Sequence, residues 1–444
     1  MNINLASALG ATLLAGCVST TTARSFDSAP IPGAWRPDEL TGTRATASTA
    51  GGPGSAGSIP SSLTPWDAAR VAVERNPELR ALRAERGVAR AEIIAAGVLP
   101  NPTLAGHFSV PLAGAEATVY GAGADLSWDV SPLIGMGARL TAAEESFAAI
   151  DLEVAWQEWQ VATGARLHAS RSIFLQRRIA IAQQVEASWE TRVAALEAAL
   201  ARGAVTALEL RDATSSLAEA QMARRALERE HAVELGGLAT AIGVDSTELP
   251  SVVGDRVEPA RPPAVEGLLR ALPDRRLDLI ALRHRYRGHS AALDAAHAAA
   301  FPPIQIGVFV NQEVDENLSA GPTLSIGLPI FDRNQAQIAR QEAVRERTGD
   351  EYDARLQRAR ADVLALHRQL EIIAAELAAA TEAGEQLTDL AERARRAHAS
   401  GALTLLRAHE LERRAWAAQI RRAELEQLRA ELRVGLAAAS GDPL

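Results

Sequence analysis

The 444-residue chain has one cysteine and three methionines, which excludes a disulfide framework, a cysteine-rich metal or iron–sulfur centre and a methionine ladder for soft metals. Lysine is absent, so every fixed positive side chain is arginine, and aromatic residues amount to 4%. Acidic side chains outnumber basic ones, 55 to 46, for a net charge of −9. Such a chain lacks the basic face that nucleic-acid phosphates require, so nucleic acid is not an expected partner. No apolar run reaches the length of about 18 residues that a membrane-spanning helix needs. If this chain crosses a membrane, it does so with strands. Phosphate loop, dinucleotide fingerprint and nucleophile elbow are all missing. The histidines stand at 107, 168, 231, 284, 289, 297, 367, 398 and 409 without a His-x-x-x-His pair, and read as structural or solvent-facing. The expectation is no enzyme, no cofactor and no resident metal. What is abundant is alanine and leucine, the composition of long helices.

The cysteine is placed at the end of a short apolar run, Leu5 to Ala15, in Leu14-Ala15-Gly16-Cys17. A run of about 11 residues is too short to span a bilayer and suits a signal-peptide core over residues 1–16. The four-residue string resembles a bacterial lipoprotein box, which implies that Cys17 becomes the mature N-terminus with lipid on its sulfur. An ordinary small-residue cleavage site is the other reading, and the usual basic start is missing from Met1 to Ser7. Residues 17–62 are rich in Ser, Thr, Gly, Ala and Pro and read as a flexible tether. Order is expected from Thr64-Pro65-Trp66-Asp67, where Thr64 can cap a helix and Pro65 suits its first turn.

The remainder is a duplicated unit, residues 63–255 and 256–444, each reading helix, strand pair, long helix, tight turn, long helix. Leu126-Ser127-Trp128-Asp129 aligns with Leu324-Ser325-Ile326-Gly327, and Ala201-Arg202-Gly203-Ala204-Val205-Thr206 with Ala399-Ser400-Gly401-Ala402-Leu403-Thr404, both at an offset of 198. Heptads run along the long helices. Leu140, Phe147, Val154, Val161, Leu175, Ala182, Trp189 and Leu196 share one register, interrupted by His168. In the second unit Leu356, Val363, Leu370 and Leu377 share a register, and Ala359, Leu366, Ile373, Ala380 and Leu387 its partner. Such spacing means coiled-coil packing, and Ala138 to Ala201 makes a rod of roughly 95 Å.

The strands alternate with period two. Ile304, Ile306, Val308 and Val310 share one face; Leu324, Ile326, Leu328 and Ile330 share another, with the strand expected over 323–330. In the first unit Tyr120, Ala122, Ala124, Leu126, Trp128 and Val130 oppose Gly121, Gly123, Asp125, Ser127 and Asp129. Turns are expected at Ala113 to Glu116 and Asn311 to Gly321. The pattern fits a barrel wall, and equally two soluble hairpins on a helix layer. Geometry adds a constraint: four strands cannot close a barrel, and an open edge in lipid leaves backbone groups unsatisfied. Two copies would give eight strands, which fill their own interior, and three copies would give twelve with a lumen. A pore requires the trimer. Asp125 and Asp129 face its lumen if Trp128 faces lipid, and Trp128 and Tyr120 are belt residues.

Over about residues 63 to 440 the chain resembles the TolC-type outer-membrane factor family, the exit ducts of bacterial efflux and type I secretion. Arg75-Asn76-Pro77-Glu78-Leu79, Leu99-Pro100-Asn101-Pro102-Thr103-Leu104 and, most specifically, Leu328-Pro329-Ile330-Phe331-Asp332-Arg333-Asn334-Gln335 are similar to its heavy-metal efflux branch, the CzcC-like proteins. The resemblance implies a mainly α protein with a membrane β-barrel portion: a homotrimer with a twelve-stranded barrel in the outer membrane of a Gram-negative bacterium and a twelve-helix coiled-coil tunnel in the periplasm. The implied partners are outer-membrane lipid, a periplasmic adapter and an inner-membrane pump of the RND type. The implied activity is passive conduction, with heavy-metal cations as cargo.

The resemblance also assigns the helix turns to adapter docking, through Arg202, Gly203, Ala204, Val205 and Thr206, and Ser400, Gly401, Ala402, Leu403 and Thr404. Acidic residues six and nine positions past each turn glycine narrow the mouth in that family. Here those positions hold Glu209 and Asp212, then Arg407 and Glu410, with Arg407 departing from the pattern and expected to pair with an acid across the mouth. Drug or organic-solute export and secretion are alternatives within the duct class. An adapter protein is the rival from another class, but it would show one hairpin where this chain has two. A lipoprotein enzyme would show clustered catalytic side chains.

Overall fold

The computed structural model describes residues 59–110, 120–254, 263–313 and 317–442. The expected signal peptide, Cys17, most of the tether, the turn at Ala113 to Glu116 and residues 314–316 of the turn expected at Asn311 to Gly321 lie outside the described residues. The first unit runs β1 (Ser62–Leu63), α1 (Pro65–Arg75), α2 (Pro77–Gly97), β2 (Thr103–Ser109), β3 (Gly121–Asp129), the single turn α3 (Ser131–Ile134), α4 (Met136–Ala201) and α5 (Ala207–Ile242). A short strand β4 (Ser251–Val252) leads to the second unit: α6 (Val265–Arg275), α7 (Leu277–Ala298), β5 (Ile304–Gln312), β6 (Leu318–Ile326), α8 (Gln335–Ala399) and α9 (Leu405–Ser440).

Local chemistry starts the chain as the sequence suggests. The Thr64 hydroxyl accepts from the Asp67 backbone N–H at 3.1 Å and the Asp67 carboxylate takes the Thr64 N–H in return, a reciprocal cap with Pro65 in the first turn. Order reaches further back than expected, because Ser62 and Leu63 pair in parallel with Ser251 and Val252 and Ile59 packs on the core beneath them. The two ends of the first unit are thereby fastened to each other.

Helix α4 has 66 residues and α8 has 65, so each is a rod of about 98 Å. The heptad positions point inward: Val154, Leu175, Ala182 and Leu196 are buried in α4, and Val363, Leu370 and Leu377 in α8. Val363, Leu370, Ile373 and Leu377 form one cluster with Leu425, Leu432 and Leu436 of α9 and Leu268 and Leu272 of α6. Apolar burial along these stripes carries most of the stability, since the helices are otherwise polar.

The shorter helices compose two further rods. Gly243, just past α5, lies against Pro77 at the start of α2, and Gly441, just past α9, lies against Arg275 and Arg276 at the start of α7. Asn76 Nδ2 donates to Ala241 O at 2.9 Å at the first joint, and Arg276 Nη1 donates to Ala439 O at 3.0 Å at the second. At the first joint polar pairs continue the packing along α4 on both sides: Arg83–Glu158 at 2.6 Å and Arg86–Asp151 at 2.6 Å from α2, and His168–Glu234 at 2.7 Å and Ser172–His231 at 2.9 Å from α5.

The remaining four strands form one antiparallel sheet in the order β2-β3-β5-β6. It differs from expectation at its last strand. β6 is Leu318–Ile326 rather than 323–330, and Asn311–Gln312 and Leu318–Gly321 are ladder residues, not turn. Small residues Ser319, Ala320 and Gly321 hide the alternation, yet Gln312 pairs with Leu318 and Val310 with Ala320. At the other end Gly327 N–H reaches back to Pro303 O at 2.9 Å and Pro329 lacks a donor, so the ladder stops at Ile326.

Candidate functional site

Two regions carry the residues singled out in the sequence: the helix turns at one end of the rods and the strand sheet at the other. Both turns are built alike. Gly203 has φ +70° and Gly401 φ +77°, and nothing lies within 4 Å of a Cβ placed on either, so glycine is required for backbone conformation and not for space. In the first turn Gly203 N–H bonds Leu200 O at 2.9 Å and Ala204 N–H bonds Ala199 O at 3.0 Å. In the second, Gly401 N–H bonds His398 O at 2.9 Å and Ala402 N–H bonds Ala397 O at 2.8 Å. Of the ten turn residues only Val205 and Leu403 are half-buried, and the other eight are exposed.

The helices leaving the turns begin differently. The Thr206 hydroxyl accepts from Glu209 N–H, and the Glu209 carboxylate accepts from Thr206 N–H at 2.8 Å and its hydroxyl at 3.1 Å. These bonds hold the Glu209 carboxyl below the usual carboxylate range, the backbone N–H contributing most. Thr404 makes no side-chain cap, and Arg407 three positions on has no carboxylate to return one. Within the chain Arg407 meets an acid of its own helix: Nη1 donates to Glu410 Oε2 at 2.7 Å, and Arg414 Nη2 donates to Glu410 Oε1 at 2.6 Å. The two guanidinium groups hold the Glu410 carboxyl below its usual range.

Asp212 and Glu410 line one groove of about 620 Å³ between α4, α5 and α9, with Trp189, Arg192, His409 and Trp416. Arg192 sits 5.0 Å from the Trp189 ring and its charge is disfavoured by burial, an effect that Asp212 opposes. Burial and the nearby Arg192 push the His409 imidazole below its ordinary value, and the Glu412 carboxylate 3.3 Å away offsets this only in part. Of the four residues expected at the mouth, the fold therefore gathers Asp212 and Glu410 and leaves Glu209 and Arg407 at helix starts. Arg192, His409 and Trp416 were not singled out in this role. Each looks like an ordinary helix residue until three helices converge, although the Trp189–Arg192 spacing of three was a legible signal.

The sheet separates two faces. Leu104 opposes Leu126, which opposes Val308, which opposes Pro322, and the same face carries Phe108, Trp128, Ile306, Val310, Leu318 and Leu324. These apolar side chains are largely exposed, and Trp128 Nε1 donates to Pro100 O at 2.8 Å at one end of the strand while Tyr120 stacks on Phe108 at 5.4 Å at the other. The opposite face carries Thr103, His107, Asp125, Ser127, Gln305, Asn311, Thr323 and Ser325. Asp125 lies on this face, diagonal to His107. Asp129, opposite Gln305, lies on the same face, and its Oδ1 accepts from Ser131 N–H at 3.0 Å and Ser131 Oγ at 2.6 Å, closing the strand onto α3. Among the described residues both outer strands, β2 and β6, have unpaired edges.

Among the described residues no three of His, Cys, Asp and Glu converge as metal ligands, and no helix is long and apolar enough to cross a membrane. His168, His231 and His284 tie helices together, the last through Glu145 at 2.7 Å.

The outer membrane efflux protein family model matches residues 68–244 and 268–442. Outer membrane protein OprJ of Pseudomonas aeruginosa is 30% identical over 197 residues, 41% of this chain and 40% of that protein. Pyoverdine export outer membrane protein OpmQ of Pseudomonas putida is 27% identical over 279 residues, 61% of this chain and 59% of that protein. The matched stretch thus spans 40% and 59% of the length of these curated relatives. Among solved structures, CusC, described in connection with folding and transmembrane channel formation, superposes with a TM-score of 0.69 at 20% identity over 84% of this chain and 91% of that one. At that identity the likeness is one of fold.

Proposed function

The chain belongs to the outer membrane efflux protein family, and from that premise we propose that it is the outer-membrane exit duct of a tripartite pump–adapter–channel system, conducting passively and catalysing nothing. One observation carries the reading: a four-stranded sheet with an exposed apolar face and, among the described residues, two open edges rides on the ends of rods about 98 Å long. In lipid those edges must pair, and three copies of four strands make a closed twelve-stranded barrel with a lumen. Each chain contributes four rods, α4, α8 and the end-to-end pairs α5/α2 and α9/α7, so the same trimer makes a twelve-helix tunnel. The turns at Gly203 and Gly401 form its periplasmic end and dock the adapter, while Asp212 and Glu410 stand at its mouth. Lipid on Cys17 anchors the chain in the outer membrane of a Gram-negative cell.

The cargo we propose is heavy-metal cations, supported by the Leu328 to Gln335 string. That string forms the loop from β6 into α8, where Asn334 adopts φ +61° and its Nδ2 donates to Ala296 O at 2.8 Å while Phe331 is exposed. Its chemistry shapes the foot of the barrel and touches no cargo, so selectivity is assigned to the pump. A second reading, export of organic solutes, is favoured by the relative named for pyoverdine export. The deciding experiment deletes this gene with pump and adapter intact and measures growth inhibition by zinc, cobalt, cadmium, nickel, copper, silver and a panel of amphipathic drugs. Selective sensitisation to cations, reversed by complementation, upholds the metal reading, and sensitisation to drugs alone overturns it. A purified protein that is not trimeric and forms no pore in a planar bilayer overturns the duct itself.

A further inference from the structure

The polar face of the sheet holds one cluster that the duct does not require. His107 of β2, Asp125 of β3 and Asn311 of β5 are cross-strand neighbours around Gly123, and a Cβ on Gly123 would fall 2.2 Å from His107 Cε1 and 2.9 Å from Asn311 Oδ1. Glycine at 123 is therefore the space the imidazole occupies. His107 Nε2 lies 3.2 Å from Asn311 Oδ1, which can accept only if this ring nitrogen carries the proton, the Nε2–H tautomer. That bond leaves the lone pair on Nδ1, which faces Asp125 Oδ2 at 3.6 Å.

In the Nε2–H tautomer two acceptors confront each other there, too far apart for a hydrogen bond. The separation matches something else: bonds of about 2.1 Å to one tetrahedral zinc ion place an imidazole nitrogen and a carboxylate oxygen about 3.4 Å apart. The remaining ring nitrogen donating to an oxygen is the arrangement that orients a metal-binding histidine. Both side chains are about half exposed, 52% and 43%, so water can complete the coordination shell.

We propose that His107 and Asp125 form a weak two-donor landing site for a borderline divalent transition cation such as zinc, one per chain, with Asn311 as positioning residue. Its place on the inner wall of a pore rests on the duct reading above. An imidazole–carboxylate pair favours such ions over magnesium or calcium, which prefer oxygen alone, and over copper(I), which prefers sulfur. Two protein donors suit transit, where an ion must leave as readily as it enters.

The test uses the untagged full-length trimer in detergent with zinc chloride alone, titrated by calorimetry and repeated with magnesium. The expected result is one zinc per chain and no magnesium. His107→Gln, Asp125→Asn and Gly123→Ala each weaken zinc about tenfold or more, and exposed His297→Gln leaves it unchanged. Asn311→Ala weakens zinc, and Asn311→Asp, which still accepts from Nε2, restores it. Zinc binding equal in wild type, His107→Gln and Asp125→Asn, or absent from wild type, overturns the site. The same preparations are placed in planar bilayers. Pores without zinc binding leave the duct standing and remove this site, and zinc binding with the expected dependence but no pore upholds the site and removes the duct.

Discussion

Asn76 donates its side-chain amide to the carbonyl of Ala241 at 2.9 Å, and by that bond the end of α5 is fastened to the start of α2. The same side chain caps α2 by accepting from Leu79 N–H at 3.0 Å, so one buried residue serves two helix ends. Arg276 does the corresponding work in the second unit, reaching Ala439 O while its other nitrogens hold the buried Asp278 at 2.7 and 3.0 Å. Asn76→Ala removes a cap and a buried hydrogen bond and is expected to cost about 2 kcal/mol. Asn76→Asp keeps the capping acceptor but turns a carboxylate oxygen onto the Ala241 carbonyl in a buried site, so it too is expected to destabilise. Thermal unfolding followed by helical circular dichroism ranks the three proteins, and an unchanged Asn76→Ala would show that the joint is held by apolar packing alone.

The two faces of the sheet make opposite predictions. Val308 lies at the middle of β5 on the apolar face, and Thr323 lies on the opposite face beside Gly307. Val308→Arg is expected to cost about 2–4 kcal/mol in the bilayer, and Thr323→Arg close to nothing beyond altered conductance. Urea midpoints of the reconstituted protein measure both. Equal costs would contradict the assignment of faces.

The unequal helix starts predict an unequal response to alanine. Thr206→Ala removes a cap that is made, and Thr404→Ala removes a hydroxyl that caps nothing. Glu209 is a group whose folded value lies below its ordinary 4.5, so its contribution is present above 4.5 and is lost as pH falls through the lowered folded value. Hydrogen-exchange protection of the first turn of α5 should drop in Thr206→Ala at neutral pH and stay lowered in acid, because the hydroxyl cap does not titrate, whereas in wild type protection should fall in acid as Glu209 is protonated. Thr404→Ala should leave α9 unchanged at any pH.

His409 gives the groove between α4, α5 and α9 a response in a milder range. Its folded value lies below the ordinary 6.5, so the folded state holds the proton less tightly than the unfolded chain. Stability at the tip is complete above 6.5 and declines as pH falls through that value. His409→Gln should abolish this decline without altering behaviour at pH 8. Protection of residues 405–412 measured between these conditions checks it, and an identical decline in the variant would assign the response to another group.

Much of the architecture was legible because it rests on periodicity. The seven-residue spacing of Val154, Leu175 and Leu196 marks a face that must be buried wherever the partner helix comes from, and all three are buried. The turn glycines at 203 and 401 were legible because only a left-handed residue ends such helices cheaply, and both adopt positive φ. Strand β6 was misplaced because Ser319, Ala320 and Gly321 carry too little apolar contrast to show which face they occupy, and only the ladder against β5 settles them.

The sequence by itself determined the repeat, the rods, the hairpin turns and the presence of two-faced strands, since each follows from spacing along one chain. Tertiary structure decided what no spacing contains. It brought Asn76 to Ala241 across 165 positions and His107 to Asn311 across 204, and it placed Asp212 of one hairpin in a groove with Glu410 of the other. It also turned Glu209 and Arg407 to local duties at helix starts. The physical reason is the same throughout: periodicity states which side of an element seeks a partner, and only packing chooses the partner.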